Sequence, residues 1–204
     1  MLSASRDQDA EPVGREFASP RFDGVPDVSA ILARIPAEAT GKGMFANRLL
    51  TELACRELPL PTPQTFAPLE DLPLRFCAEL NLHAARVLHP GLPLPEALRR
   101  VARLSFETFQ ESLAAQLILT TVHHSPHPVL ALASRLVGYT TNVGTLQSVY
   151  VDHGTRLIRA RQVYLFAEWF GVGMAEGVLR ACGKQGSVLV RSHTFTDVDF
   201  LIQW

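Results

Sequence analysis

The chain has 204 residues, of which 47% are hydrophobic and 19% are charged, and its formal net charge is −1. This size and composition are typical of one folded domain whose core needs no disulfide or metal for stability. The near-zero charge argues against general nucleic-acid binding and against electrostatic docking on acidic membranes.

Three cysteines, Cys55, Cys77 and Cys182, lie far apart in the sequence. Their number and spacing predict neither a disulfide framework nor a zinc site. The N-terminus lacks the pattern of a secretory signal, and no apolar run approaches the length of a membrane span. We therefore expect a cytoplasmic protein.

Residues 1–25 are polar and rich in proline and glycine, which predicts a flexible N-terminal tail. Residues 26–204 are expected to form a single α+β domain. Its helical part covers about residues 26–140, and its sheet part covers about residues 144–204.

Five helices are predicted in the helical part. Asp27 or Ser29 caps a short first helix that Pro36 ends, and a second helix opens at Met44. A third runs from about Asp71 to the turn at 89–91. The fourth and longest extends from Pro95 to about residue 118, and its apolar residues predict a central, buried helix. Residues 125–138 form the fifth, with Ser125 as cap and Pro126 at its first position.

From Gly144 onward, apolar residues alternate as in strands. The first predicted strand contains Leu146 and residues 149–151. A hairpin turn at 152–154 joins it to a return strand over residues 157–165. Residues spaced three and four apart between Phe170 and Ala181 then predict a helix. A second hairpin, turning at 192–196, ends in a strand with four residues on one face: Val198, Phe200, Ile202 and Trp204.

The order of these elements predicts an α+β fold, with an N-terminal helical bundle packed on a C-terminal antiparallel sheet of β-β-α-β-β order. Gly173 and Gly177 lie one turn apart in the helix between the hairpins. Glycine costs about 1 kcal/mol inside a helix, so this pair predicts close packing of that helix on the sheet.

Two clusters of polar residues were considered as sites. His123, His124 and His127 have a spacing that could bind a metal, although Pro126 and Pro128 interrupt the helix face, and the sequence favours a structural role at a helix end. Asp197 and Asp199 share one strand face. They could act in acid–base chemistry, but their alternation with the apolar face predicts that both are solvated.

Arg159 and Arg161 also share a strand face and could bind an anion or a partner carboxylate. The sequence favours the simpler interpretation, an exposed sheet face kept in solution by charge. No nucleophile elbow, phosphate loop, dinucleotide-binding glycine run or zinc-protease motif is present in the sequence. We therefore predict a protein that is not an enzyme, with no cofactor and no bound metal.

The aromatic and thioether side chains of the centre could form core or could line a pocket between the helices and the sheet. The candidate pocket residues are Phe106, Phe109, Tyr150, Phe170 and Met174. A non-enzymatic sensor or adaptor would bind a small apolar ligand, or a protein partner, at that place. The alternative is a homodimeric interaction module with a fully packed core, paired through the helix face at 44–53. An enzyme whose residues converge only in three dimensions is a third, less favoured hypothesis.

Three segments resemble the signatures of a myxobacteria-restricted family of unknown function with many paralogues. They are Ile35-Pro36 with Gly43-Met44-Phe45; the His89-Pro90 turn with Pro93 and Pro95-Glu96-Ala97-Leu98-Arg99; and Phe170, Gly173, Leu179 and Gly183 with Phe200, Ile202 and Trp204. The resemblance covers about residues 25–204 and departs from the family at Ala102, where the pattern tends to have glycine. Because alanine is larger than glycine, this departure argues against a close helix contact at position 102.

The layout is also similar to the folds of haem–nitric-oxide sensor domains, vinyl-reductase-type domains and trafficking-complex ligand-binding domains. This likeness implies a ligand-binding fold and no particular activity. The Tyr-x-Ser-x-Arg signature of the gas sensors is absent, since Tyr150 is followed by Asp152 and Gly154. The resemblance therefore does not imply haem.

Overall fold

The computed structural model describes residues 16–111 and 125–204. Twelve elements follow one another in these ranges: α1 (Val28–Ala33), β1 (Thr40–Lys42), α2 (Gly43–Cys55), β2 (Asp71–Pro73), α3 (Leu74–Leu88), α4 (Leu94–Glu111), α5 (Pro126–Thr140), β3 (Thr145–Asp152), β4 (Thr155–Arg161), α6 (Ala167–Ala181), β5 (Ser187–Ser192) and β6 (Val198–Gln203). The predicted α+β class is confirmed. In the described ranges, no helix combines the length and the apolar character needed to cross a bilayer.

The start of α1 agrees with one of the two predicted caps. Asp27 precedes the helix, and its Oδ1 accepts a hydrogen bond from the backbone N–H of Ala30 at 2.9 Å. Ser29, the other candidate, lies inside the helix. The cap satisfies one of the donors that a helix N-terminus leaves without an intrahelical partner.

A small two-stranded sheet replaces the first turn of the predicted third helix. Gly41 of β1 pairs with Leu72 of β2, and Lys42 pairs with Asp71, so residues 71–73 are extended. Lys42 Nζ lies 2.6 Å from Asp71 Oδ1, which holds the two strands together at their exposed side. The prediction of helix from Asp71 was wrong by three residues because this pairing depends on a strand thirty residues upstream.

The C-terminal sheet has four antiparallel strands in the order β3-β4-β6-β5. Its inner face is built by alternate residues, which are buried: Ile158 and Ala160 on β4, and Val198, Phe200 and Ile202 on β6. β4 ends at Arg161 because Gln162 has a positive φ of 54°, which turns the chain away from the sheet. The predicted extension of this strand to residue 165 was therefore wrong.

Helix α6 lies between the sheet and α4. A Cβ atom at Gly171 would overlap the ring of Phe200 on the sheet, so the helix backbone contacts that ring directly. A Cβ at Gly173 would come within 2.7 Å of Ala102 Cβ on α4 and would overlap the carbonyl oxygen of Arg99. At Gly177, the same construction meets Phe106 Cβ at 2.9 Å.

The two glycines predicted to pack on the sheet therefore pack on α4, and this part of the expectation was wrong. Spacing in the sequence showed that they share a face but not which neighbour that face meets. Ala102 keeps the close helix contact despite its departure from the family pattern, because Gly173 supplies the small residue on the other helix.

A charged cluster closes the contact between α4 and α6. Arg99 Nε donates to Glu176 Oε2 at 2.9 Å, and Arg103 Nε donates to the same oxygen at 2.8 Å. Arg99 Nη1 also donates to Glu96 at 2.7 Å. Burial lowers the pKa of the Arg99 guanidinium, but the hydrogen bonds to Glu176 and Glu96 outweigh it and leave this pKa raised. The cluster fixes the register of the two helices.

Phe17 and Ala18, which precede α1, lie at the free edge of β5. Ala18 and Val190 exchange both backbone hydrogen bonds, at 2.9 and 2.8 Å, and the Arg191 guanidinium lies over the ring of Phe17. On the helical side, Leu49, Leu50 and Leu53 of α2 are buried in the core of the chain itself. In the α2 face that the homodimer alternative would pair with a second copy, these three leucines are thus covered within one molecule.

Candidate functional site

A cavity of about 250 Å³ lies between the helices and the inner face of the sheet. Its walls come from α2 and α3 on one side, α4 and α5 on another, α6 above, and strands β3, β4 and β6 as a floor. The lining is overwhelmingly apolar. Such cavities stay dry and bind apolar molecules, as an engineered cavity of about 150 Å³ that binds benzene shows.

Small residues on separate elements create this space. Ala46 on α2, Ala160 on β4 and Ala175 on α6 all line the cavity and are at most 6% exposed. Protein cores are close-packed, with few voids larger than a water molecule. Three buried alanines facing one volume leave it unfilled, and the sequence could not show this because the three are far apart along the chain.

Three of the five candidate pocket residues line the cavity: Phe106, Phe170 and Met174. Phe109 belongs to α4, but its side chain lies outside the described part of the chain. Tyr150 is on the surface, 52% exposed, where its ring contacts those of His127 and His153. Tyr150 pairs with Arg156, and its side chain is on the inner side of the sheet. It lies near the β3–β4 turn, however, where the strand register shifts before Asp152. A role of any of them in ligand contact stays a prediction.

Asn81 is the most unusual polar side chain in the lining. It is 7% exposed, and its Nδ2 donates to the carbonyl oxygen of Cys77, one turn earlier on α3, at 2.8 Å. Its Oδ1 is buried and has no hydrogen-bond partner among the described residues. Asn81 was not among the candidate residues predicted from the sequence, although its position between Leu80 and Leu82 in an apolar helix is a visible signal.

The other polar groups of the lining are already occupied or uncharged. Burial raises the pKa of the Cys77 thiol to about 11, so this group is a neutral thiol at pH 7 and a poor nucleophile. The Ser105 hydroxyl donates to the carbonyl oxygen of Val101 at 3.4 Å. Lys42 is paired with Asp71. Among the described lining residues, Asn81 Oδ1 is the buried side-chain polar atom without a hydrogen-bond partner.

Of the predicted histidine cluster, the structure describes His127, whereas His123 and His124 lie outside the described residues. His127 is in the first turn of α5, with its ring 4.6 Å from that of Trp204 and 4.9 Å from that of Tyr150. Its Nε2 lies 3.0 Å from the carbonyl oxygen of His153. These contacts join α5 to the β3–β4 hairpin. Within the described ranges, no group of three His, Cys, Asp or Glu residues is placed to hold a metal.

Asp199 corrects the expectation that both strand aspartates are solvated, because its side chain is 1% exposed. Arg191 Nη2 and His193 Nε2 lie 2.8 and 2.9 Å from Oδ2, and Arg161 Nη1 lies 2.7 Å from Oδ1, off the line of a hydrogen bond. Burial raises the pKa of Asp199, but the hydrogen bond from His193, the nearby positive charge of Arg161 and the hydrogen bond from Arg191 outweigh it and leave the pKa lowered.

Arg161, for which the sequence favoured a role in an exposed, charged sheet face, pairs with this carboxylate on the next strand of the same sheet. Alternation correctly put Asp199 on the outer face, yet neighbouring side chains cover it there. Arg159, the other arginine of that pair, has its Nη1 3.5 Å from Gln147 Oε1. This cluster is a structural element of the outer face and lies on the opposite side of the sheet from the cavity.

A family model described as "Protein of unknown function (DUF2378)" matches residues 36–204, and the chain belongs to this family. The resemblance to a family of unknown function is confirmed, while its restriction to myxobacteria stays a prediction. No curated protein matches the chain.

Among solved structures, the fold is similar to that of H-NOX proteins. The Fe(II) unliganded H-NOX protein from K. algicida has a TM-score of 0.60 at 13% identity, over 79% of this chain and 95% of that chain. A mutant H-NOX domain from Shewanella oneidensis in the Fe(II)CO state has a TM-score of 0.61 at 8% identity, over 79% and 97%. An H-NOX protein from S. oneidensis in the Fe(II)NO state has a TM-score of 0.55 at 10% identity, over 79% and 98%. At these identities the likeness shows the fold alone.

The iron of those structures raises the question of whether this cavity fits haem. Haem iron is bound by histidine, cysteine thiolate, tyrosine, or methionine with histidine. The described lining contains no histidine, its Cys77 is held as a neutral thiol, and Tyr164 is the tyrosine among its residues. Lys42, the cation of the described lining, is already paired with Asp71. A volume of about 250 Å³ is also below the usual range of about 300–1,000 Å³ for cofactor and drug-sized sites. The described lining thus offers no histidine or thiolate for haem iron, and its volume is small for a cofactor of that size.

Proposed function

We propose that this member of the DUF2378 family is a non-enzymatic, sensor-type protein that binds a small apolar molecule in the cavity between its helices and its sheet. The observation that carries the proposal is the cavity itself. Natural domains rarely keep an apolar void of this size, since each lost methylene contact costs stability. A void retained at the centre of a fold that other proteins use around a ligand is well explained by a ligand of its own.

Binding would be driven by burial of apolar surface. A ligand surrounded by Phe106, Phe170 and Met174 would gain about 25 cal/mol for each Å² removed from water. Met174 is unbranched and polarisable, so it can adapt its rotamer to ligands of slightly different shape. The site therefore suits a compact aromatic or branched aliphatic molecule.

The chemistry of the described lining supports binding rather than catalysis. An activated nucleophile needs a lowered pKa or an adjacent base, but the Cys77 thiol has a raised one. We therefore propose that the ligand binds and dissociates without being chemically altered.

Helix α6 is the element that would report occupancy. It contributes Phe170, Met174 and Ala175 to the cavity and is held to α4 through Gly173, Gly177 and Glu176. A ligand that fits one position of α6 better than another shifts the population toward that position. The surface formed by α4 and α6 is then where a signal would leave the domain.

The homodimer alternative has less support. A fully packed core disagrees with the cavity, and the α2 residues expected at the dimer interface are buried within the monomer. Homodimerisation stays a prediction that the mass of the protein in solution would test.

Calorimetric titration with toluene tests the proposal. Wild-type protein should bind one equivalent, and Ala175→Leu, which places three more carbon atoms in the cavity, should lose most of the affinity. Ala54→Leu makes the same change on the exposed side of α2 and should bind as the wild type does. Absence of binding of both toluene and phenol to folded wild-type protein, or equal toluene binding by Ala175→Leu, would overturn the proposal.

A further inference from the structure

Among the described residues that line the cavity, one has a buried side-chain oxygen or nitrogen without a hydrogen-bond partner: Asn81, at Oδ1. This atom belongs to a side chain that is 93% buried, and it has no hydrogen-bond partner among the described residues. Leaving a buried acceptor unsatisfied costs about 1–3 kcal/mol. Unsatisfied buried groups are rare enough in native proteins that each needs a reason.

The orientation of the amide is fixed by its neighbour. The backbone carbonyl oxygen of Cys77 can only accept, so the Asn81 atom 2.8 Å from it must be the nitrogen. The nitrogen edge thus bonds back to the helix, and the oxygen is the edge turned away from it. Asn81 lines the cavity, and its oxygen is the edge of the amide that is not already hydrogen-bonded among the described residues.

We propose that the ligand is an apolar molecule that carries one neutral hydrogen-bond donor, a hydroxyl or an N–H group, and that this donor binds Asn81 Oδ1. The inference rests on the proposed function and names the ligand class of the same site. An amide oxygen accepts a donor and repels a carboxylate. The cation at the described lining, Lys42, is paired with Asp71, so ionised acids such as fatty acids are excluded from this class.

Three probes of similar size separate the possibilities: toluene with no donor, phenol with one neutral donor, and benzoate with a negative charge. In wild-type protein, phenol should bind about three- to tenfold more tightly than toluene after correction for their different transfer from water, as one neutral hydrogen bond allows. Benzoate should not bind measurably.

The variants Asn81→Leu and Asn81→Ala both remove the hydrogen-bond acceptor. The leucine partly fills the cavity, whereas the alanine enlarges it. In both, the preference for phenol over toluene should vanish. The ratio is taken within each variant, so a change in cavity volume cancels. Ser105→Ala removes the other buried polar side chain of the described lining, and should keep the preference because the Ser105 hydroxyl is already bonded to Val101.

An independent readout needs no ligand. Asn81→Leu replaces an unsatisfied buried amide by an apolar side chain, which should raise the melting temperature of the empty protein or leave it unchanged. If toluene binds but the phenol preference persists in both Asn81 variants, the inference is overturned and the proposed function stands. If neither phenol nor toluene binds the folded wild-type protein, the proposed function fails and the inference with it.

Discussion

The ring of Phe200, at the centre of the sheet, packs directly against the backbone of Gly171 in α6. A Cβ atom at position 171 would come within 2.8 Å of Phe200 Cε1 and would overlap the tip of the ring. Both residues line the cavity. This contact therefore sets the distance between the helix and the floor of the site.

Gly171→Ala tests this contact. The added methyl group must displace a buried aromatic ring, and overpacking of this kind costs about 1–3 kcal/mol. We expect the free energy of unfolding, measured by urea denaturation, to fall by that amount. The ring would also be pushed toward the cavity, so toluene affinity should fall as well.

Gly138→Ala is the matched control, because nothing lies within 4 Å of the added atom in α5. There, alanine should stabilise the protein by about 0.5–1 kcal/mol, as in an ordinary helix. Equal effects of the two substitutions would contradict the described contact between Phe200 and Gly171.

Gly173→Ala addresses the α4–α6 contact. The methyl group meets both Ala102 Cβ and the carbonyl oxygen of Arg99. Backbone cannot move aside as a flexible side chain can, so we expect a loss of at least about 3 kcal/mol in unfolding free energy. Adding Ala102→Gly to this variant should rescue only part of the loss, because the carbonyl oxygen remains. Full rescue would show that the helices approach through side chains alone.

Glu176 and Arg103 should be energetically coupled. Their side chains are 24% and 21% exposed, between the exposed pairs that contribute about 0.2–1 kcal/mol and buried pairs whose disruption costs about 3–5 kcal/mol. A double-mutant cycle of Glu176→Gln and Arg103→Met should give a coupling of about 1–2 kcal/mol that decreases with added salt. A coupling near zero would remove the ion pair from the account of helix register.

The Asp199 cluster predicts a defined acid sensitivity. Because the folded-state pKa of this carboxyl lies below its unfolded value, its contribution is present above about pH 4 and is lost as pH falls through the folded pKa. Asp199→Asn should lower the unfolding free energy by up to about 3 kcal/mol at pH 7, since Arg191 would keep its charge without its carboxylate.

The difference between wild type and Asp199→Asn should shrink as the pH is lowered from 4 toward 2. Denaturation curves at a series of pH values measure it. A difference that stays constant over this range would mean that the carboxylate charge contributes nothing.

Local sequence patterns were sufficient to predict which helices and strands form. They were not sufficient to predict which elements pack against each other. The alternation of Val198, Phe200 and Ile202 predicted the last strand and its buried face, and both are confirmed. The pair Gly173 and Gly177 predicted a close approach of α6, yet the partner was α4. Periodicity defines a face of an element, whereas the partner of that face depends on contacts distant in sequence.

The candidate site was predictable only in part. Phe106, Phe170 and Met174 were selected because they are large and central, and they lie on the cavity. The cavity itself results from small residues on three separate elements, which no local pattern reveals. Asn81 could have been noticed as a lone amide in an apolar helix, but its unsatisfied oxygen depends on the surrounding packing.

The most direct test of the central claim, that the protein keeps an apolar cavity ready for a ligand, is a crystal structure determined under xenon pressure. Xenon enters dry apolar cavities without needing any polar contact. We expect xenon density between Phe200, Met174 and Phe106, and its loss in Ala175→Leu. A structure of the wild-type protein in which side chains fill this volume and no xenon binds there would contradict the account.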